Sequence, residues 1–471
     1  MRSAPEISDG VPMPRRLGAI LAIAFGVGLS VLDGAIANVA LPTLGRELAV
    51  SSSESIWIVN AYQLAVMISL LPCSALGERI GYRRIYVAGI ALFTLASAGC
   101  ALAGSFAALA LARTAQGFGA AAITSVNTTL IRIIYPRAQL GRGLGINATV
   151  VAVSSVAGPA VAAGILSVAD WPWLFAVNLP IGIAAFALSR RFLPENPVRV
   201  QGRGPDWRDA AMNALTFGLL TASLEGFTHR LAPQLIAACI AALLLVGTLF
   251  IRRQLREERP LLPLDLLRIP IFSVSLLTSV CSYLGQMLAM IALPFLLQHD
   301  LGDDPATTGL LLTAWPAVIV VVAPAAGLLV ERIHAGALAG TGLATMAAGL
   351  LLLAGLPAEP TRAQLLVRLL LCGAGFGLFQ SPNNSVLIAS SPADRSGSAS
   401  GMLATARLLG QTSGAALAAL LFERLPDTGT RTGIALAGGF ALAGALLSFS
   451  RLRLPLPAGL EKRRRVRTQR P

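Results

Sequence analysis

The chain is poor in charged residues, histidine and cysteine, and each shortage excludes a class of protein. Only 13% of its 471 residues are charged, about half the share in soluble domains, which excludes a soluble globular protein. Three scattered histidines and five cysteines without a CxxC spacing offer neither a zinc-like site nor a disulfide framework. The sequence also lacks a GxxxxGK[ST] phosphate loop and a nucleophile–base constellation. We therefore expect no enzyme, no ATP-driven pump, no cofactor and no metal.

Apolar residues dominate instead, at 55% of the chain with a mean hydropathy of +0.70. They form stretches of about 20 residues, the length a helix needs to cross a bilayer. These stretches predict an all-α polytopic membrane protein with fourteen transmembrane helices. The predicted spans are 17–41, 56–76, 85–104, 106–131, 143–166, 173–193, 209–227, 233–251, 271–297, 307–330, 335–356, 364–389, 398–421 and 432–452.

The net charge of +14 lies mostly in short loops between the apolar stretches. This placement excludes a nucleic-acid partner, because no soluble basic face exists. Basic clusters recur at every second loop through the first eight spans, which predicts an even number of spans with both termini cytoplasmic. We expect a bacterial inner (plasma) membrane location, with the basic tail near anionic lipid.

An internal repeat relates the two ends of the chain. Residues 125–145 align without gaps to residues 381–401, a shift of 256, and residues 76–80 echo residues 329–333, a shift of 253. Arg113 similarly echoes Arg368. Same-direction repeats of six helices form transporters with the substrate site between the halves. The predicted organisation is a cytoplasmic N-terminal tail (1–16), a six-helix bundle (17–194), a two-helix insert with cytoplasmic linkers (195–268), a second six-helix bundle (269–453) and a basic cytoplasmic tail (454–471).

One carboxylate, Asp33, lies inside the first span, about 24 Å from its start and within hydrocarbon depth. A charge at this depth costs at least a few kcal/mol, so it should face a bundle interior or a wet cavity. There it can exchange a proton for a cationic substrate. The alternative is a buried acid that only pairs with another helix.

Several strings resemble the fourteen-span drug:proton antiporter branch of the major facilitator superfamily. LDGAIANVALP at 32–42 is similar to that branch's LDxTxVNVALP signature, with Ala35 in place of Thr. SALGERIGYRR at 74–84 resembles the GxLxDRxGRR loop, and RTAQGFGAA at 113–121 resembles RxxQGxGAA. SSVAGPAVAA at 154–163 is similar to the antiporter motif GxxxGPxxGG, although Ser or Ala replaces three of its glycines. WPWLFAVNLPIG at 171–182 also matches the branch, and we interpret it as structural.

The resemblance implies a role for each matched residue. Proton coupling is expected at Asp33 and Arg113, although Arg113 also fits a fixed hydrogen-bond donor. Arg407, which lies in span thirteen, fits a side chain that snorkels to the cytoplasm. The loop between spans two and three is expected to act as a gate, or alternatively as a topology anchor, through Glu78, Arg79, Gly81, Arg83 and Arg84. A helix kink is expected at Gly158 and Pro159. The residues expected to contact substrate in the cavity are Asn38, Tyr62, Gln63 and Gln116.

The predicted function is secondary active transport by alternating access. The substrate would be a lipophilic, often cationic, drug or toxic compound, exported by a monomer against inward proton flow. The sequence leaves two alternatives open. One is an exporter for an endogenous metabolite or siderophore, and the other is a proton-coupled uptake symporter.

Overall fold

Fourteen long helices account for most of the chain. The computed structural model describes residues 10–136, 139–195, 207–228, 232–257, 264–330, 332–357, 359–391 and 396–454. No strand occurs in these ranges, which confirms the all-α prediction. The helices are α1 (Arg15–Glu47), α2 (Trp57–Ile80), α3 (Tyr82–Ala101), α4 (Phe106–Ile134), α5 (Leu140–Leu166), α6 (Asn178–Phe192), α7 (Trp207–Thr228), α8 (Pro233–Gln254), α9 (Pro270–Phe295), α10 (Pro305–Leu329), α11 (Ala335–Ala354), α12 (Arg362–Ser390), α13 (Ser396–Arg424) and α14 (Gly429–Ser450).

Twelve of these helices, some with a short adjoining helix, are long and apolar enough to cross a membrane. Among the described residues, α7 and α13 do not satisfy the same requirement, so twelve spans are supported by length and composition and the number fourteen stays a prediction. The physical reason is their polarity. Helix α7 carries Asp209, and α13 carries Arg407 among many Gly, Ser and Thr residues. Because the described chain has an even number of long helices, the start of α1 and the end of α14 lie on one side, which we call the terminal face, and the other side is the distal face.

The helix ends follow local capping chemistry. Asp304 caps α10 by accepting the backbone N–H groups of Ala306 and Thr307 at 2.9 and 3.0 Å. Thr361 forms a capping box with Gln364 at the start of α12, which satisfies backbone N–H groups that have no partner within the helix. These caps fix where the helices begin at the distal face.

Helices α1 to α6 pack with one another, and α9 to α14 form the second group. Helices α7 and α8 pair together, and α7 also contacts α2 and α13, so it spans the boundary between the groups. The domain limits at 17–194, 195–268 and 269–453 stay predictions. Most of both predicted tails lies outside the described residues.

Matching glycine contacts relate the two halves. A Cβ added at Gly119 would lie 2.6 Å from the backbone nitrogen of Phe93, and one at Gly375 would meet the backbone nitrogen of Met346. The residue numbers of corresponding positions thus differ by 256 between α4 and α12, but by 253 between α3 and α11. Arg113 therefore corresponds to Leu369. The predicted echo of Arg113 at Arg368 is wrong by one residue, which is about 100° of helix rotation.

An apolar core joins the two halves near the distal face. It combines residues of α1 and α5 with residues of α9 and α10 that are almost completely inaccessible to solvent. Water would have to disrupt this packing to pass, because such interiors are as dense as organic crystals. The core residues from these four helices include Ile36, Leu41, Leu44, Ala162, Leu288, Leu293, Leu312 and Trp315.

Two hydrogen bonds cross the same boundary. Ser53 Oγ donates to Glu423 Oε2 at 2.9 Å, and Gln298 Nε2 donates to the carbonyl oxygen of Val39 at 3.4 Å. By contrast, α5 carries five exposed residues near the terminal face, although Asn147 accepts a hydrogen bond from Asn127 of α4 there. The two halves are therefore packed together at the distal face, whereas α5 is partly exposed at the terminal face. The exposed residues are Gly145, Ile146, Ala148, Thr149 and Val153.

Candidate functional site

Asp33 lies in the interior of the first half and accepts three hydrogen bonds. Its side chain is completely buried. Arg113 Nη1 contacts Oδ2 at 2.5 Å, and the amide nitrogens of Gln116 and Asn178 donate to Oδ1 at 2.8 and 2.7 Å. An ionised carboxylate accepts at both oxygens, so this is the geometry of a charged acid paired with a charged arginine. We call these four residues the acid cluster.

Arg113 is 1% exposed and its guanidinium has partners on every side. Besides Asp33, its Nη1 donates to Gln116 Oε1 at 2.5 Å and its Nε donates to the carbonyl oxygen of Ile58 at 3.1 Å. The ring of Tyr62 lies 4.4 Å from the guanidinium carbon, a cation–π distance. An arginine cannot lose its proton here, so these acceptors hold a permanent charge in the interior.

Close helix packing brings the cluster together. A Cβ added at Gly117 would lie 2.5 Å from the carbonyl oxygen of Tyr62, so only glycine lets α4 approach α2 this closely. From α3, Ser97 Oγ accepts a hydrogen bond from Gln116 Nε2 at 2.9 Å. The four cluster residues come from α1, α4 and α6, which are distant in sequence.

Asn178 is the cluster member that sequence reasoning missed. It lies in the segment 171–182, which we interpreted as structural, and it is completely buried with its amide nitrogen on Asp33. An amide within a predicted span was the available signal, because a buried polar group needs a partner.

The four predicted substrate-cavity residues do not lie together. Gln116 is completely buried and bonded to Asp33, Arg113 and Ser97, so in this conformation it belongs to the acid cluster and lines no cavity wall. Tyr62 is 8% exposed and covers Arg113. Asn38 and Gln63 are half-buried, and neither is bonded to the acid cluster.

The predicted gating loop forms the tight connection between α2 and α3 at the terminal face. Gly81 joins the helices at φ +117°, a conformation that only glycine adopts freely. Arg83 donates to the carbonyl oxygen of Arg190 and lies 3.7 Å from Glu195. A cavity of about 430 Å³ lies between α3 and α6 and is lined by Arg83 and Arg84. Glu78 and Arg79 are exposed. These contacts of Arg83 stay within the first half.

The predicted kink residues lie at the boundary between the halves. Pro159 is inside α5, and a Cβ added at Gly158 would meet Ala35 of α1. A Cβ added at Gly309 of α10 would lie 2.5 Å from the carbonyl oxygen of Pro159. This part of α5 therefore packs directly against the second half, near the distal face.

Three of the four acid-cluster residues have apolar counterparts in the second half. By the shifts of 256 and 253, Arg113 corresponds to Leu369, and Gln116, Asn178 and Ser97 correspond to other apolar positions. These counterparts are almost completely buried. The remaining counterparts are Cys372, Ile434 and Leu350. The arginine of the charged pair thus has no charged counterpart in the second half.

This architecture is shared with known proteins. A model of the Major Facilitator Superfamily matches residues 23–263 and 275–470. The chain belongs to the Major Facilitator Superfamily. It is therefore a multi-pass membrane transporter.

Two curated relatives cover nearly the whole transporter. It is 55% identical to the "Uncharacterized transporter YebQ" of Escherichia coli K12 over 95% of this chain and 98% of that protein. It is 31% identical to the "Riboflavin transporter RibZ" of Clostridioides difficile over 88% of this chain and 89% of that protein. These relatives are named as transporters rather than enzymes.

Solved structures share the fold of this transporter. A POT family transporter in complex with a thioalcohol conjugated peptide gives a TM-score of 0.71 at 15% identity, covering 93% of this chain and 96% of that chain. A bacterial homolog of the human lysosomal transporter Spinster, inward-facing and unoccupied, gives 0.65 at 14% identity, covering 94% and 98%.

Proposed function

We propose that this transporter exports a small organic molecule in exchange for protons, by alternating access. The observation that carries the proposal is the acid cluster. Asp33 is a completely buried carboxylate held by one arginine and two amides. Static buried ion pairs contribute little net stability, so a pair that titrates during transport gives this arrangement a purpose.

Protonation of Asp33 changes what Arg113 must contact. In the ionised cluster the two charges neutralise each other at 2.5 Å. Once Asp33 is neutral, Arg113 is a buried cation that retains the Ile58 carbonyl, Gln116 and the rings of Tyr62 and Phe175 but no anionic partner. An uncompensated buried charge is unfavourable by several kcal/mol. Proton binding therefore favours a rearrangement of α4 relative to α1, which provides the coupling step.

The two faces of the molecule supply the alternating access. The distal apolar core separates Asp33 from the distal face, while α5 is partly exposed at the terminal face. Opening the distal face would break the packing of α5 against α10 at Gly309 and the Ser53–Glu423 hydrogen bond. Asp33 would then take a proton from the distal side and release it on the terminal side.

The proposal also includes the orientation of the protein in the membrane and its number of spans. The basic clusters support a cytoplasmic terminal face in a bacterial inner membrane. With α7 and α13 crossing as well, the protein would have the fourteen spans of the drug:proton antiporter branch. Helix α7 packs against α2 and α13, which supports its placement beside the bundles. We propose a monomer.

The substrate is a drug-like compound or a metabolite of the cell itself. The names of relatives support this range, since they include the "Multidrug resistance protein Stp" of Mycobacterium tuberculosis and the "Tetracenomycin C resistance and export protein" of Streptomyces glaucescens. A proton-coupled uptake symporter is the competing function. The two differ in whether protons and substrate move in opposite directions.

Everted membrane vesicles test the proposal. In vesicles energised to an acidic interior, addition of a transported substrate should alkalinise the lumen, because protons leave as substrate enters. Further acidification would indicate symport. Vesicles with the Asp33→Asn variant at equal expression should show no alkalinisation. Full proton flux in this variant would refute the role of the acid cluster.

A further inference from the structure

Arg407 is a charged residue at mid-depth that the proton mechanism does not use. It lies eleven residues after the start of α13 at Ser396, which is about 16 Å along the helix. Its side chain is exposed. The interpretation of Arg407 as a snorkelling side chain stays a prediction, and the contacts of Arg407 show what else lies near its charge.

Its neighbours show which way Arg407 faces. The guanidinium lies 6.0 Å from the ring centre of Tyr283 on α9, in the second half. Five residues further along α13, Thr412 Oγ1 lies 4.0 Å from Met67 Sδ on α2, in the first half. Immediately after Arg407, Leu408 belongs to the apolar core of the first half. Arg407 therefore faces the space between the halves.

Arg407 has no carboxylate partner within the described part of the chain. No ion pair or hydrogen bond involves its side chain there. At mid-depth in the described bundles the only carboxylate is Asp33, which is completely buried and already paired with Arg113. An unpaired charge at this depth is expensive unless it faces water or a ligand. The space between the halves is thus positively charged.

Aromatic and amide groups surround this charge. Tyr283 makes edge-to-face contacts with Phe376 at 5.7 Å and Phe379 at 6.4 Å. Its hydroxyl group accepts a hydrogen bond from Gln380 Nε2 at 3.4 Å. An arginine beside a fixed aromatic ring favours a planar ligand that carries a carboxylate, phenolate or enolate oxygen.

We infer that the substrate is a planar organic anion whose negative charge binds Arg407 and whose ring lies against Tyr283. This inference rests on the proposed transport function and names its substrate class. It replaces the expected preference for cations, because the carboxylate on which that preference depended is bonded within the first half. The two halves then divide the work, with the proton at Asp33 and the substrate charge at Arg407. In the first half, the counterpart of Arg407 by the shift of 256 is Val151.

Two xanthene dyes of opposite charge test the inference on the purified full-length chain. Fluorescein is anionic and rhodamine 123 is cationic, while their ring systems have nearly the same shape. Fluorescence anisotropy should show fluorescein binding at least tenfold more tightly than rhodamine 123. Arg407→Gln should weaken fluorescein binding about 10- to 100-fold, the usual effect of losing a charged hydrogen bond. Arg407→Lys should retain most of the affinity.

The control is Arg132→Gln, which removes an exposed arginine at the terminal end of α4 and should leave both affinities unchanged. Equal binding of the dyes, tighter binding of rhodamine 123, no binding of either, or an unchanged affinity in Arg407→Gln overturns the inference. A proton gradient across proteoliposomes tests the transport function separately. Fluorescein could bind through Arg407 while its flux depends neither on the proton gradient nor on the Asp33→Asn substitution. That result would refute only the proton-coupled function.

Discussion

A double-mutant cycle between Asp33 and Arg113 tests both the energetics and the function of the acid cluster. Asp33→Asn leaves Arg113 as a buried cation, and Arg113→Gln leaves Asp33 as a buried anion with two amide donors. Both side chains are 1% exposed or less. Each single variant should therefore lower the free energy of unfolding by about 3–5 kcal/mol, the usual cost of removing one partner from a buried pair.

The double variant should recover most of this loss. With neither charge present, no uncompensated ion remains, and exchanging a buried pair for neutral groups is often close to neutral in stability. The interaction free energy from the cycle should therefore be about 3 kcal/mol or more. It can be measured by unfolding the four proteins in detergent mixtures with increasing SDS.

A second ion pair in the same chain provides the control. Arg253 Nε contacts Asp209 Oδ1 at 2.5 Å, equal to the distance in the cluster, but the Arg253 side chain is 28% exposed. The cycle of Asp209→Asn with Arg253→Gln should give an interaction free energy of about 1 kcal/mol, since exposed pairs are weak. Equal interaction free energies for the two pairs, or additive losses at Asp33 and Arg113, would refute the reasoning from burial.

Transport separates the stabilising role of the pair from its coupling role. For one proton per substrate, a gradient of one pH unit corresponds to 1.36 kcal/mol and about tenfold accumulation. Proteoliposomes with the wild-type chain should reach this ratio, provided the membrane potential is held at zero. The Asp33→Asn/Arg113→Gln variant should be stable yet accumulate nothing. Accumulation by this variant would remove Asp33 from the coupling mechanism.

Three further predictions concern other parts of the molecule. Gly309→Leu should prevent closure of the distal face, because its side chain would meet the carbonyl oxygen of Pro159; cysteine labelling from the distal side should then increase, and unchanged labelling would contradict this seal. Arg83→Gln should lower stability by less than about 1 kcal/mol, since its ion pair is exposed, but slow transport if this arginine is part of a gate; unchanged rates would leave the loop as a topology anchor. Asp304→Ala should lower stability by about 1 kcal/mol at neutral pH through loss of an N-cap. Hydrogen bonds from Thr307 lower the pKa of Asp304, so this difference is fully present above about pH 4 and disappears as the pH falls through the lowered pKa; a constant difference down to strongly acidic pH would contradict it.

Much of the fold could be predicted because the bilayer imposes a local rule. Every backbone polar group must be bonded within the membrane, so an apolar stretch of sufficient length becomes a helix whatever its neighbours are. Helices α1 to α6, α8 to α12 and α14 follow from this rule. The helices that do not satisfy the apolarity requirement for a membrane span carry polar or charged residues. Helix α13 is the example, because the arginine that faces the space between the halves also lowers its apolarity.

Part of the candidate site was also visible in the sequence. Asp33 and Arg113 are charges in apolar stretches, and each needs a partner of opposite sign, so their pairing was a reasonable expectation. Their 2.5 Å contact agrees with it. The contributions of Gln116 and Asn178 were not predictable, because an amide in a helix gives no sign of which way it faces.

The sequence by itself determined that the chain forms apolar membrane helices in two related halves, with one acid and one arginine buried in the first. These features depend on composition and periodicity within single segments. Only the tertiary structure decided that two amides complete the acid cluster, that Arg368 is not the counterpart of Arg113, and that Arg407 has no carboxylate partner within the described part of the chain. These outcomes depend on the rotation of each helix against its neighbours, where a shift of one residue turns a side chain by about 100°.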